Sequence, residues 1–534
     1  MRCLAGEKRL YKETAILMCG VIALFCFAPA QRIYSKAYFV DFASGADTNA
    51  GTSTSSAWQH CPGDSNASNV SLSTTLVPGD IVNLKGGVKY SGKISVSGSG
   101  SAGNVITFDG NSTGTWGTGK AVIDLALVYY RAFDVTASYI SIKNFEMINA
   151  KNHAGNIEGY VHDSGGNNLT ISDCIFHDVE GWNVVGAQGS DSSVWAEQIG
   201  IYISQADTIR ISGCEFFAIG TDGINLFRAT NVDIGGCNFG GINRGSSTGY
   251  FSVAIRMQYN TYSVFVHDCI FHDAWQYEGD DPIQRDHAGD WSHIYGGTEY
   301  PHDIVFDRCL FYNNKAFAYC HGTSDIYVES GAYNVTIRNS IFANPHASNG
   351  SVMAYQAGPI FVYSNTFISY NTINDGVLCL KMGMGTTNDS VVENNIFINL
   401  TTQSEACIEV YDAGFSGTID YNAYYRPADP TQICRRSSTW YSLARWQTLG
   451  YDAHSYYGNP NLSNIATQAT SGLGTFSLTS ASIDEIDHGK TISGFNSDYA
   501  NNLRPMGAKW DIGAYEFSGR GSTILMPQHL RLKQ

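Results

Sequence analysis

Between about Leu169 and Tyr424 the chain repeats one pattern of apolar and polar positions. It reads Asn168-Leu-Thr-Ile-Ser-Asp-Cys-Ile-Phe176, then Thr208-Ile-Arg-Ile-Ser-Gly-Cys-Glu-Phe216, then Asn231-Val-Asp-Ile-Gly-Gly-Cys-Asn-Phe239. Ser263–Phe271, Asp303–Phe311 and Asn334–Phe342 continue it, and shorter forms follow at Asn365-Thr-Phe367, Asn395-Ile-Phe397 and Asn422-Ala-Tyr424. Apolar residues alternate within each copy, which predicts a strand with one face buried. Copies recur every 23 to 40 residues, the period of a solenoid wound one coil at a time. A second strand is predicted upstream of many copies: Gly200–Ile203, Gly223–Leu226, Ala254–Met257, Asp325–Glu329 and Cys407–Val410. Such strands bury their apolar faces by stacking on the same strand one coil later, at about 4.8 Å. Like residues then lie above like. The Phe positions should form an internal aromatic ladder, and the Cys, Ser and Asn positions two residues earlier a second ladder at a bend.

Composition adds the compartment. Lys8, Arg9 and Lys12 precede an apolar run from about Ala15 to Phe27, and Ala28-Pro29-Ala30 offers a small-residue cleavage site, so residues 1–30 read as an export signal. The expected mature protein is secreted or periplasmic, monomeric and off the membrane once the leader is removed. Of 13 cysteines, Cys3, Cys19 and Cys26 fall in the leader. Cys174, Cys214, Cys237, Cys269 and Cys309 share one repeat position, which predicts a stack of small buried side chains. The formal charge is −16, and the leader carries four Lys/Arg against two Glu, so the rest is near −18. An acidic chain without basic clusters excludes nucleic acid as the expected partner.

Ala37–Thr52 (Ala-Tyr-Phe-Val-Asp-Phe-Ala-Ser-Gly-Ala-Asp-Thr-Asn-Ala-Gly-Thr), Trp58 and Val77–Gly87 resemble the opening of exported pectin-lyase-like proteins. Trp510-Asp-Ile-Gly-Ala-Tyr-Glu-Phe517, after Asn502-Leu-Arg-Pro505, is similar to that superfamily's closing signature. The resemblance implies an all-β, right-handed parallel β-helix with an N-terminal cap and a C-terminal loop and short-helix cap. It implies an exported bacterial polysaccharide-active branch, while the superfamily hosts lyases, hydrolases, epimerases and adhesins, so fold does not fix activity. The expected organisation is a signal over 1–30, an N-terminal cap and first coils over 31–110, and repeats over 111–425. C-terminal coils and a cap over 426–517 and a mobile tail over 518–534 complete it. Leu443–Leu449 is predicted as a short helix within a cap over the open end of the solenoid, which would otherwise present unpaired edges.

Candidate chemistry lies where the rhythm breaks. Insertions near 178–198 and 273–303 must leave the solenoid as loops, where specificity is usually built. The second is dense in acids, bases and aromatics, among them Asp280, Asp281, Arg285, Asp286, His287, Asp290, Trp291 and His293. Alternation along the upstream strands predicts an exposed column reading Tyr202, Asn225, Arg256, His293, Glu329, then Lys381 and Glu409. Arg256, His293 and Glu329 should then fall within about 10 Å. Asp290-Trp-Ser-His-Ile-Tyr-Gly296 resembles the Asp-Gly-Ile-His-x-x-Gly segment of bacterial β-helix carbohydrate enzymes, carrying over Asp290 and His293, with Trp291 in place of the Gly.

The leading expectation is β-elimination on a uronic-acid polysaccharide. Arg256, or Ca²⁺ on Asp280, Asp281, Asp286 or Asp290, would neutralise the uronate. His293 or His287 would serve as base and Tyr295 or Tyr327 as acid. Tyr202, Asn225, Arg285, Trp291 and Lys381 would bind sugar. A second expectation is glycoside hydrolysis by Asp290 with Glu329, or by Asp222 with Asp286. Gly220-Thr-Asp-Gly-Ile224 is similar to the Asn-Thr-Asp-Gly segment of polygalacturonases, carrying over Asp222, although Thr-Asp-Gly is also an ordinary turn. The third expectation is a non-catalytic glycan-binding or adhesin solenoid that stacks sugars on exposed aromatic rings.

Overall fold

A computed structural model describes residues 35–151, 158–179, 198–219, 222–241, 253–273, 290–312, 324–343, 350–369, 379–383, 385, 389–401, 405–412, 414–465 and 475–519. The leader, the tail beyond 519, most of both insertions and the site candidates Asp280, Asp281, Arg285, Asp286 and His287 lie outside the described residues.

The chain is a right-handed parallel β-helix. Three sheets of 13 strands run the length of the rod. The first extends from Ala37–Val40 to Thr418–Asp420 and contains the repeat strands. The second, the site sheet, extends from Ile94–Val96 to Thr439–Tyr441, and the third from Lys89–Tyr90 to Tyr456–Tyr457. Strands pair in parallel throughout, except that Cys434–Arg436 meets Thr439–Tyr441 antiparallel. Register follows the repeat: Leu169 pairs with Ile209, Ile209 with Val232, Val232 with Val264 and Val264 with Ile304. A one-residue slip would turn every one of these apolar side chains outward, so burial fixes the winding.

Each predicted ladder is present. Rings from Phe176 through Phe216, Phe239, Phe271, Phe311, Phe342, Phe367 and Phe397 to Tyr424 stack at 4.5–5.4 Å and within 15° of parallel. The five repeat cysteines are buried free thiols. The ladder passes through Ser340 to asparagines whose side chains pair coil to coil. Asn365 Oδ1 accepts from the Ser340 amide at 2.9 Å, Asn395 Oδ1 from the Asn365 amide at 3.0 Å, and Asn422 Oδ1 from the Asn395 amide at 2.9 Å. Buried amides at a bend are thereby satisfied without water.

The three corners of a coil differ. From Leu169 to Tyr425 the corner from first to third sheet is always two residues long. Its first residue is left-handed in every coil, as at Asp173 (φ 54°), Gly236 (62°), Asn339 (48°) and Asn394 (60°). Asn, Asp and Gly suit this conformation and hold six of the nine positions, with Arg308, Ser364 and Tyr421 at the others. The corner leading from the third sheet into the site sheet instead varies from 5 to 20 residues.

An ion-pair network braces the outer side of the constant corner. His267 lies between Asp268 Oδ2 at 2.7 Å and Asp233 Oδ1 at 2.9 Å, and Arg308 grips Asp268 through Nε and Nη2 at 2.9 and 2.8 Å. Burial opposes the imidazolium, but the two carboxylates outweigh it and raise the His267 pKa. Burial likewise opposes the Asp268 carboxylate, yet His267 and Arg308 lower its pKa to about 2. The raised His267 contributes stability that is complete below its unfolded pKa of about 6.5 and is lost as pH rises through its folded value. The lowered Asp268 contributes stability above its unfolded pKa and loses it as pH falls toward 2. Denaturant midpoints should therefore fall as pH rises above about 6.5, through the raised His267 value, and His267→Gln should flatten that alkaline limb. An unchanged limb in the variant would remove His267 as its source.

The C-terminal region departs from expectation in part. Helix Leu443–Gln447 forms, with Ser442 Oγ accepting from the Arg445 amide at 3.4 Å. Leu443, Trp446 and Tyr451 join the interior core, so this helix closes the end of the rod. The closing signature lies elsewhere. Ile512, Ala514 and Tyr515 pack with Ile341, Ile368, Ile396 and Ala423 on the outer face of the third sheet. Strands such as Ile341–Ala343 are apolar on both faces and need cover on both. Gly513 donates to Asn394 O at 2.7 Å, and its φ of +103°, with Ile396 against the place of a Cβ, leaves room for no other residue.

Candidate functional site

The site sheet sets the geometry. In its strands Ile255 and Met257, Ile294, and Ile326 and Val328 point inward and are fully buried. The outer row between them pairs Tyr202 with Asn225, Asn225 with Arg256, Arg256 with His293 and His293 with Tyr327, and continues through Met353 to Lys381 and Glu409. Glu329 therefore does not occupy the row assigned to it from the sequence. Tyr327 takes that place, because the strand Ile326–Glu329 is set two residues further along than the alternation of its apolar residues alone decides. Glu329 instead pairs with Tyr295 and with Tyr355 on the following coil.

Its carboxylate nevertheless reaches back. Glu329 Oε1 lies 3.0 Å from His293 Nε2, and Glu329 Oε2 accepts from the Tyr327 hydroxyl at 2.8 Å. The His293 ring stacks on Tyr327 at 5.1 Å and leans on Tyr295 at 4.8 Å. On the other side His293 Nδ1 is 3.8 Å from Asp290 Oδ2. Arg256 donates to both oxygens of Asp222, from Nε at 2.7 Å and Nη2 at 2.8 Å, and Asn225 donates to Asp222 Oδ2 at 2.8 Å.

Most of this row is not exposed, contrary to the reading from alternation. Asn225, Arg256 and His293 are buried, as is Asp222, and Asp290 is 0% exposed. Trp291 turns inward, joins the core and packs 5.9 Å from Phe271, so it offers no ring to a ligand. Strict alternation fails there because the strand Ser292–Tyr295 begins only after Trp291 and the chain is still turning its corner. The Arg256 guanidinium, expected to meet a uronate, is matched to Asp222 instead. Tyr202 is buried at the margin, its ring 5.1 Å from that of His162 and tilted 39° to it. What reaches solvent is Glu329, with 22% of its side chain exposed, flanked by half-buried Tyr295, Tyr327 and Tyr355. Tyr355 was missed because Val352-Met-Ala-Tyr355 carries too weak an alternation to mark a strand; counting back from the Phe342 and Phe367 repeats would have found it.

Protonation states separate these groups. Burial, with the Glu329 charge nearby, raises the Asp290 pKa far above the carboxylate range and keeps it neutral; Asp290 Oδ1 accepts from the Ser324 amide at 2.8 Å. Burial lowers the His293 pKa, so the imidazole is neutral near pH 7 and donates Nε2–H to Glu329. Burial also opposes the Glu329 carboxylate, but the bonds from His293 and Tyr327 prevail and leave its pKa below the usual value. Both Tyr295 and Tyr327 are raised by burial and remain protonated. Among the described residues no group of three or more His, Cys, Asp or Glu gathers to hold a metal ion. No helix among them is long and apolar enough to cross a membrane.

The sequence matches no family model and no curated protein. Solved structures do resemble it. Pectate lyase Pel9A overlaps 91% of this chain and 97% of its own at 14% identity and a TM-score of 0.46. XylC, in its complex with xylose, overlaps 90% and 98% at 11% identity and 0.47. The A-module of Azotobacter vinelandii mannuronan C-5 epimerase AlgE6 overlaps 71% and 90% at 13% identity and 0.43. These are similarities of winding, and no residue's role is carried over from them.

Proposed function

We propose that this protein is a carbohydrate-active enzyme that cleaves a uronic-acid-containing polysaccharide by β-elimination. The observation that carries the reading is the 2.8 Å hydrogen bond between Tyr327 and the solvent-reaching carboxylate of Glu329. Glu329, ionised, takes the proton from the carbon beside the uronate carboxyl. That electron pair forms the carbon–carbon double bond as the glycosidic carbon–oxygen bond breaks. Tyr327 gives its proton to the departing oxygen, and the proton now on Glu329 returns along their shared hydrogen bond to restore the phenol. His293 holds Glu329 in place, with Asp290 behind it, and Arg256 bound to Asp222 braces the adjoining coil. Lys381, two strands beyond Tyr327 and roughly 10 Å away, suits the uronate carboxylate. A Ca²⁺ ion on Asp280, Asp281 and Asp286 would serve the same neutralising purpose.

Hydrolysis by paired carboxyls is the second reading, favoured by the opposite displacement of Asp290 and Glu329 about His293. Against it, Asp290 is sealed and Asp222 is bound to Arg256, so among the described residues of this cluster one carboxylate, that of Glu329, meets a substrate. A panel of uronic and neutral polysaccharides, each digested with and without chelator, decides. Ultraviolet absorbance of an unsaturated uronide is the expected product signal. New reducing ends without that absorbance would replace elimination by hydrolysis, and no product from any polymer would leave glycan binding alone.

A further inference from the structure

The outer row of the site sheet does not stop at the catalytic cluster. Beyond Tyr327 it runs through Met353, Lys381, Glu409 and Arg435, and ends on Trp440, which pairs with Arg435 across the antiparallel hairpin. Trp440 thus lies five strands from Tyr327, about 24 Å along the rod. Its surroundings are rich in arginine. In a chain of net charge −16, residues 426–445 carry four arginines and a single aspartate. All four guanidinium groups lie close to aromatic rings: Arg435 at 5.2 Å from Trp440, Arg445 at 5.0 Å from Tyr441, Arg436 at 5.9 Å from Tyr451, and Arg426 at 5.9 Å from Trp440, the last buried and donating to the Asp429 and Gln432 carbonyls so that it supports the indole from beneath. Glu409 fixes Arg435 through two bonds of 2.8 and 2.7 Å, so the Arg435 plane is held in place before any ligand arrives.

We infer that this end of the row is a second binding site, a cationic and aromatic platform for the distal part of an acidic glycan chain. The chemistry matches: indole rings stack on sugar faces, arginine forks match carboxylates, and a local positive field in an acidic protein draws a polyanion to this place in preference to others. The alignment with Tyr327 and Lys381 means that one extended chain lying along the rod would touch both places. The inference rests on the elimination reading for the identity of the glycan, though binding is measured separately from cleavage.

The test is affinity electrophoresis of the full chain through gels containing polygalacturonate, alginate or neutral hydroxyethylcellulose, at low and high salt. The expected result is retardation by an acidic polymer, relieved by salt and absent with the neutral one. Trp440→Ala and Arg445→Gln should each weaken that retardation about tenfold, with an unchanged thermal midpoint showing that the protein is folded. Arg435 is left intact, since its removal would strand the buried Glu409. Lack of retardation of the unaltered protein, equal retardation by the neutral polymer, or folded variants that bind as the parent does would each overturn the platform. Failure of the elimination reading looks different: retardation would persist and both variants would weaken it, but no unsaturated product would form.

Discussion

Glu329→Gln should reduce release of unsaturated product by about 10²- to 10⁴-fold, the range that a positioned general base contributes. The amide still meets His293 and Tyr327, so the thermal midpoint should hardly move, and the loss is then chemical. Tyr327→Phe should fall in the same direction, because it removes both the proton for the leaving oxygen and the path by which Glu329 is reset. Measured on the polymer that gives the strongest signal, a Glu329→Gln rate within a few-fold of the parent would remove Glu329 as the base. In that event the paired-carboxyl scheme would need Asp290 to become accessible.

The second large effect concerns stability. Arg504 and Glu516 form an ion pair with both side chains fully buried. The Arg504 guanidinium donates to Glu516 Oε1 at 2.8 Å, to the Gly513 and Ala514 carbonyls at 2.9 and 3.0 Å, and to Asn339 Oδ1 at 3.2 Å. It thereby ties the C-terminal strap to a coil 165 residues earlier. Arg504→Ala leaves the Glu516 charge buried beside only the Met506 and Asp511 amides. The expected cost is about 3–5 kcal/mol, read from denaturant midpoints. Replacing both partners by apolar residues of similar volume should recover most of that loss. A single variant as stable as the parent would mean that the strap contributes little to holding the rod.

Much of the architecture was legible because a solenoid writes its contacts as periodicity. Phe216 stacks on Phe239 since each fills the same place in its own coil, and Asn395 bonds Asn422 for the same reason. Outward positions carry no such constraint. The placement of Glu329 was read two residues out, because Ile326-Tyr-Val-Glu329 alternates equally well in either setting and only the pairing of Ser292 with Ile326 decides. The burial of Arg256 and the inward turn of Trp291 depend on contacts between coils that alternation within one strand does not contain. The closing signature was legible as a motif but its destination was not: only strands apolar on both faces, such as Leu310-Phe-Tyr312, hint that the third sheet needs a cover.

The unequal corners have a consequence for how such a molecule changes over time. Length is fixed where the ladder residues interlock and free where the chain turns into the site sheet. Segments there can be gained, lost or exchanged without shifting any rung above or below. The frame and the recognition surface are thus inherited as separable parts, so relatives with the same rungs can be expected to differ in the glycan they prefer.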